Sequence, residues 1–196
     1  LLPHILPELE WKYLVNETYI GERCIVPLLQ QILEMDGLQH ELKESLQRQY
    51  DEEIAHVRMY HKLIGGERLP GSGYDIPFRT YVSGLPNLTL KLFALQGILE
   101  GVALGALHYR LKFWQQSPSY KTDARVLTEE ATHVSASFSS FKSLIKLDGA
   151  IDRLDFLRVS RDINRLFVGT FNESTLASFA NACVPSHTCP KIKSVN

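Results

Sequence analysis

Two pentads constrain this chain more than any other feature: EEIAH at residues 52–56 and EEATH at 129–133. They hold the only two Glu-Glu pairs in the sequence, and in each a histidine follows three positions after the second glutamate. A lone Glu-x-x-His carries little information. With 14 Glu and 7 His in 196 residues, about 0.5 such pairs arise by chance. The doubled form says more. On a helix, residues three apart lie one turn apart on neighbouring faces, so Glu53 with His56 and Glu130 with His133 each aim two donors at one point. Half a metal site written twice requires two further helices to bring the remaining carboxylates.

The rest of the sequence reads as helices. A first runs from Glu8 to Met35 and ends at Asp36-Gly37, with Pro27 expected to kink it. A second covers Leu38 to Ile64 and is closed by Gly65-Gly66. Residues 65–86 hold five Gly and three Pro, the composition of a long crossover with room for a short helix in its middle. Asn87 is the expected N-cap of a third helix reaching about Gln116. A fourth runs from about Ser119 to Leu147, and a fifth, amphipathic helix covers roughly Ile151 to Ala182. The predicted class is all-α: a four-helix bundle over 8–147 with one long crossover and an additional C-terminal helix at 151–182. Residues 1–182 then form a single domain, followed by an irregular tail at 183–196.

The missing carboxylates follow from hairpin geometry. In antiparallel helices, residues equidistant from the turn lie level. Glu22 precedes Gly37 by 15 residues and Glu53 follows it by 16. Glu100 and Glu130 flank the turn near 115–117 at similar distances. Glu100 is moreover the only acid between Asp75 and Asp123, isolated in an apolar helix. An unpaired buried carboxylate is expensive, whereas one on a metal is compensated. The predicted ligands are Glu22, Glu53, His56, Glu100, Glu130 and His133.

Composition narrows the partners. A net charge of −1 gives no electrostatic reason to expect nucleic acid or an anionic membrane. The longest apolar stretch, residues 92–107, carries Gln96 and Glu100 and reads as a core helix rather than a membrane span. Cys24, Cys183 and Cys189 make no disulfide framework, so a cytoplasmic protein is the expectation. Cys183, His187 and Cys189 form a loose set in the tail, and Cys24 is assigned to packing.

With Glu22, Glu53-x-x-His56, Glu100 and Glu130-x-x-His133 in order, the chain resembles the ferritin-like di-iron carboxylate superfamily over about residues 8–147. The resemblance implies two Fe ions, with Mn or a mixed Mn/Fe pair suiting the same donors. It implies bridging roles for Glu53 and Glu130, one metal each for His56 and His133, and terminal positions for Glu22 and Glu100. Glu52 and Glu129 occupy the place from which an acid orients the histidine of the opposite helix. The other reading leaves both in solvent.

The resemblance further implies O2 chemistry at two Fe(II), through a peroxo or higher-valent species, that oxidises or oxygenates a small organic substrate. O2, that substrate and a separate electron donor are then the partners, and a homodimer is compatible with the bundle. A ferroxidase is the alternative function, and a non-catalytic helical module a third. Gly97, Gly101 and Gly105 form a stripe that either opens a substrate pocket or packs a helix closely. Phe93, Leu104, Leu107 and Phe138 are candidate apolar walls. Val126 and Leu104 stand where two oxygenase subclasses resembling this pattern carry His and Thr, so neither subclass is supported. Tyr60 lies four residues after His56 on the inward face, and is read as a redox-active or a core tyrosine.

Overall fold

Glycine sets the helix ends. The computed structural model describes residues 8–66, 71, 73–147 and 151–170. Helix α1 (Glu8–Leu33) runs unbroken through Pro27. It stops two residues short of the expected Met35, because the Met35 N–H takes the tighter bond to the Ile32 carbonyl and Gly37 follows at φ 80°. Helix α2 (His40–Leu63) ends at Gly65 and Gly66, with φ of 75° and 73°. Both occupy the left-handed region that other residues rarely enter. The short helix expected inside the crossover is α3 (Asp75–Ser83).

The third long helix is a composite rod, Leu88–Phe113. It begins as α4 (Leu88–Leu92), capped by the Asn87 side chain, which accepts from the Leu90 N–H at 3.0 Å. Residues Phe93–Leu99 are π-helical, and α5 (Glu100–Phe113) completes the rod three residues short of the expected Gln116. The π stretch was not anticipated from the sequence. By length and composition the rod could cross a membrane, yet half of its most apolar window is buried within the bundle. Helix α6 spans Tyr120–Leu147. Helix α7 (Arg153–Thr170) starts two residues late because the Asp152 carboxylate accepts from the N–H groups of Leu154 and Asp155. The tail residues Cys183, His187 and Cys189, and the extension of α7 to 182, lie outside the described residues.

Helices α1 and α2 form one hairpin and α5 and α6 another, and α2 packs on α6. Two apolar clusters fill the bundle. The larger includes Leu28, Leu29, Ile32, Leu46, Phe78, Leu95 and Ile163. The smaller joins Val15, Tyr19, Tyr60, Ile64, Leu107 and Val126. Along each long helix, the ligand candidates fall between residues of one cluster and residues of the other. Helix α7 lies over α3, α4 and the π stretch. Its Phe156 ring meets Phe93 edge-on at 5.0 Å, and its Phe167 stacks on Phe78 at 5.8 Å.

The glycine stripe divides. A Cβ on Gly97 would come within 3.1 Å of the Phe93 ring, whereas at Gly101 and Gly105 it would meet nothing within 4 Å. Gly101 and Gly105 are exposed. Among the described residues nothing packs within 4 Å of the Cβ position at either, so close helix packing is not what these two glycines serve there. Phe138, expected as a pocket wall, is also exposed.

Candidate metal centre

Each long helix delivers its carboxylate to one level of the bundle, because the two hairpins turn at matching distances from their acids. Glu22 comes from α1, Glu53 and His56 from α2, Glu100 from the start of α5, and Glu130 and His133 from α6. All six are buried, from 0% exposed at Glu53, His56 and Glu100 to 5% at His133. They fall into two overlapping groups, Glu22–Glu53–His56–Glu130 and Glu53–Glu100–Glu130–His133. Within each group, one donor atom per residue lies within 4.8 Å of all the others.

Glu53 and Glu130 belong to both groups. Glu53 presents Oε2 to His56 Nδ1 at 3.4 Å and Oε1 to His133 Nδ1 at 3.3 Å. Glu130 does the same with Oε1 at 3.2 Å and Oε2 at 3.3 Å. Glu22 Oε2 approaches His56 Nδ1 at 3.3 Å, and Glu100 Oε2 stands 3.9 Å from His133 Nδ1. The two imidazole rings are 6.4 Å apart.

The outer nitrogens are spoken for. His56 Nε2 donates to Glu129 at 2.7 Å, and His133 Nε2 donates to Glu52 at 2.7 Å. Each doubled glutamate thus serves the histidine of the opposite pentad. Since a carboxylate only accepts, each Nε2 carries the proton and each Nδ1 is left facing the acids. Glu129 is held in turn by Arg125 at 3.0 Å. Burial would raise its carboxyl, but His56 and Arg125 together draw it below the ordinary range.

Electrostatics at this level are severe. Burial pushes Glu22 and Glu100 well above the usual carboxylate range, and the charges of Glu53 and Glu130 add to it. Burial would raise Glu53 too, but the His133 and His56 imidazoles hold it down to about 2. Both histidines move the other way. Burial opposes their charge, yet Glu130 and Glu53 carry His133 up to about 11, and Glu130 and Glu22 raise His56 further. Imidazolium protons therefore neutralise the acids when nothing else does.

Glu53 Oε1 and Oε2, Glu100 Oε2 and Glu130 Oε1 are buried without a hydrogen bond. Unsatisfied buried oxygens are rare and call for an unseen partner. Four carboxylates and two imidazoles converge on these atoms, a donor set that could hold metal ions, and the residues fit such a centre. A family model for a ferritin-like domain matches residues 22–141, more than half the chain and all six donors. The chain belongs to the ferritin-like family. No curated protein matches it, and no solved structure does.

This ferritin-like chain also contains polar groups that the sequence reading passed over. On one side of the centre, Gln49 Nε2 donates to Glu100 Oε1, Gln96 Nε2 to Gln49 Oε1, and the Ser137 hydroxyl to Gln96 Oε1. On the other, the Tyr60 hydroxyl donates to Asp123 at 3.0 Å, and Arg110 grips the same carboxylate through Nε at 3.0 Å and Nη2 at 2.7 Å. Ser119 donates to Asp123 as well, at 2.8 Å. Burial, then the Asp123 charge, pushes the Tyr60 phenol well above its ordinary range, against the opposing pull of Arg110. A spacing signal existed for the amides: Gln49 and Gln96 each precede a ligand-type glutamate by one turn.

His61 and His108, eight residues beyond Glu53 and Glu100, are exposed. Cys24 is buried, as its assignment to packing expects, and burial pushes its thiol up to about 12.

Proposed function

We propose that the chain is a non-haem di-iron oxidoreductase that uses O2 to oxidise or oxygenate a small organic substrate. The observation that carries this reading is the sealing of the centre: all six donors are buried, and both imidazoles are fixed from outside by carboxylates. A metal held this way is a retained cofactor. A centre through which iron passes as cargo needs ligands that open. Membership of the ferritin-like family supports iron ahead of manganese.

In this reading Glu53 and Glu130, which belong to both groups, would be shared between the two ions, His56 and His133 would each hold one through Nδ1, and Glu22 and Glu100 would complete the two ends. When bound, two ferrous ions supply the electrons that reduce O2. The chain's own residues do the rest. Glu52 and Glu129 keep the imidazole Nε2 protons in place and the rings oriented. Val15, Tyr19, Leu107 and Val126 on one side, and Leu28, Leu95 and Leu99 on the other, keep bulk water from the reacting level. Tyr60, held by Asp123, closes one end of the polar layer. A separate donor, protein or small molecule, returns the electrons.

The test is anaerobic loading with Fe(II), desalting, then exposure to O2 with excess Fe(II) in one arm and a chemical reductant with candidate organic substrates in the other. Two irons per chain that survive desalting, a single round of Fe(II) oxidation, and substrate-dependent O2 consumption are expected. Sustained oxidation of excess Fe(II) with release of Fe(III) would overturn this reading in favour of a ferroxidase.

A further inference from the structure

The two halves of the centre are related by exchange of the hairpins, which pairs Glu22 with Glu100, Glu53 with Glu130 and His56 with His133. The same exchange pairs the residues one turn further out. Gln49, four residues before Glu53, corresponds to Val126, four before Glu130. Gln96, four before Glu100, corresponds to Thr18, four before Glu22. Ser137, four after His133, corresponds to Tyr60, four after His56. The ligands obey the symmetry, and these neighbours break it.

On the Glu100 side, three hydrogen bonds run in one direction. Ser137, whose hydroxyl also lies 2.9 Å from the His133 carbonyl, donates to Gln96, Gln96 to Gln49, and Gln49 to Glu100 Oε1. All four residues are buried. The last donor in the series leaves Oε1 occupied and Oε2 as the one oxygen turned to the centre, where it has no hydrogen bond. The π stretch matters here, since it carries Gln96 and ends immediately before Glu100. On the Glu22 side, among the described residues, no such amide series is seen, and Glu22 Oε2 instead lies 3.3 Å from His56 Nδ1. Val126 is fully buried and has no donor. Thr18 accepts from Arg110 at 2.6 Å and bonds back to the Leu14 carbonyl at 3.3 Å, while Tyr60 turns to Asp123.

We propose that Gln49, aligned by Gln96 and Ser137, is a positioning residue that fixes Glu100 as a one-oxygen ligand and makes the two metal positions unequal, so that Glu53–Glu100–Glu130–His133 fills before Glu22–Glu53–His56–Glu130. This rests on the metal-centre reading. A ligand already held in its bound orientation loses less freedom when the ion arrives, and removal of such outer partners typically weakens metal binding by about 10–100-fold. Glu22 is held through its contact with His56 Nδ1, which an incoming ion displaces.

The experiment is anaerobic titration of the full chain with Fe(II), followed by calorimetry, in wild type, Gln49→Leu and Gln96→Leu. Wild type takes two ions in two resolved steps, the tighter lost in His133→Ala and the weaker in His56→Ala. Gln49→Leu weakens the tighter step by about tenfold and leaves the weaker within about twofold. Gln96→Leu acts in the same direction with smaller effect, and carries the comparison if Gln49→Leu does not fold. Unchanged steps in these variants, or equal weakening of both steps, would overturn the proposal, as would a wild type whose two ions bind with one affinity. A folded wild type that binds no Fe(II) would instead overturn the metal-centre reading beneath it.

Discussion

A histidine whose Nε2 is already committed to a carboxylate has one nitrogen left to give. In the metal-free centre the Nδ1 positions of His56 and His133 are themselves protonated at neutral pH, since the surrounding acids hold His133 at about 11 and His56 above it. An incoming ion must displace those protons. Metal loading is therefore expected to release protons into a weak buffer, and affinity to fall by about tenfold per pH unit for each proton displaced as pH drops. The sign for the metal-free fold is opposite. The ion pairs of a raised histidine stabilise it fully below the ordinary value of 6.5 and are lost as pH climbs through about 11 for His133. Metal titrations and thermal melts at pH 6.5 and 8.5 check both trends: alkali strengthens the loaded state and weakens the empty one.

At the scale of elements, the composite rod departs furthest from what its sequence suggests. Gly97, Gly101 and Gly105 recur every fourth residue, which on an ideal α-helix is one stripe with one role. The π stretch at Phe93–Leu99 breaks that period. Gly97 faces the Phe93 ring, itself wedged between Phe156 at 5.0 Å and Phe141 at 6.3 Å, while Gly101 and Gly105 face open space. Ala for Gly in a helix ordinarily adds about 1 kcal/mol. Gly101→Ala and Gly105→Ala should each raise the melting temperature by about 2–4 °C for a chain of this size. Gly97→Ala should lower it, because the ring cannot retreat. Three melting curves decide this. The stripe also marks where sequence reading ran out. The convergence of the six acids and histidines was legible because hairpin spacing and the doubled pentads are local arithmetic. The amide series was legible only as the one-turn spacing of Gln49 and Gln96 from their glutamates; its connection depends on a widened helical turn that no residue type announces, and on side chains from three helices meeting. Asp123 and Arg110 escaped for the same reason: a buried pair thirteen residues apart is invisible until the α5–α6 turn is folded.

For the molecule as a whole, the centre is a concentration of buried acid between two apolar clusters. Removing one partner of such a set leaves the others unbalanced. Glu22→Leu should make the metal-free protein less stable by about 1–3 kcal/mol, because the buried His56 Nδ1 loses the carboxylate that stands 3.3 Å from it. The same change should abolish the weaker metal position. Denaturant unfolding with and without metal measures both: the variant is weaker when empty and gains less than wild type on loading. Each position draws donors from both hairpins, with Glu22, Glu53 and His56 meeting Glu130 in one, and Glu100, Glu130 and His133 meeting Glu53 in the other. Neither hairpin owns an ion. A chain whose halves have docked one turn out of register presents acids to apolar walls and has nothing to load, so occupancy certifies assembly. An ion bound there would be the inspector of the fold as well as its reagent.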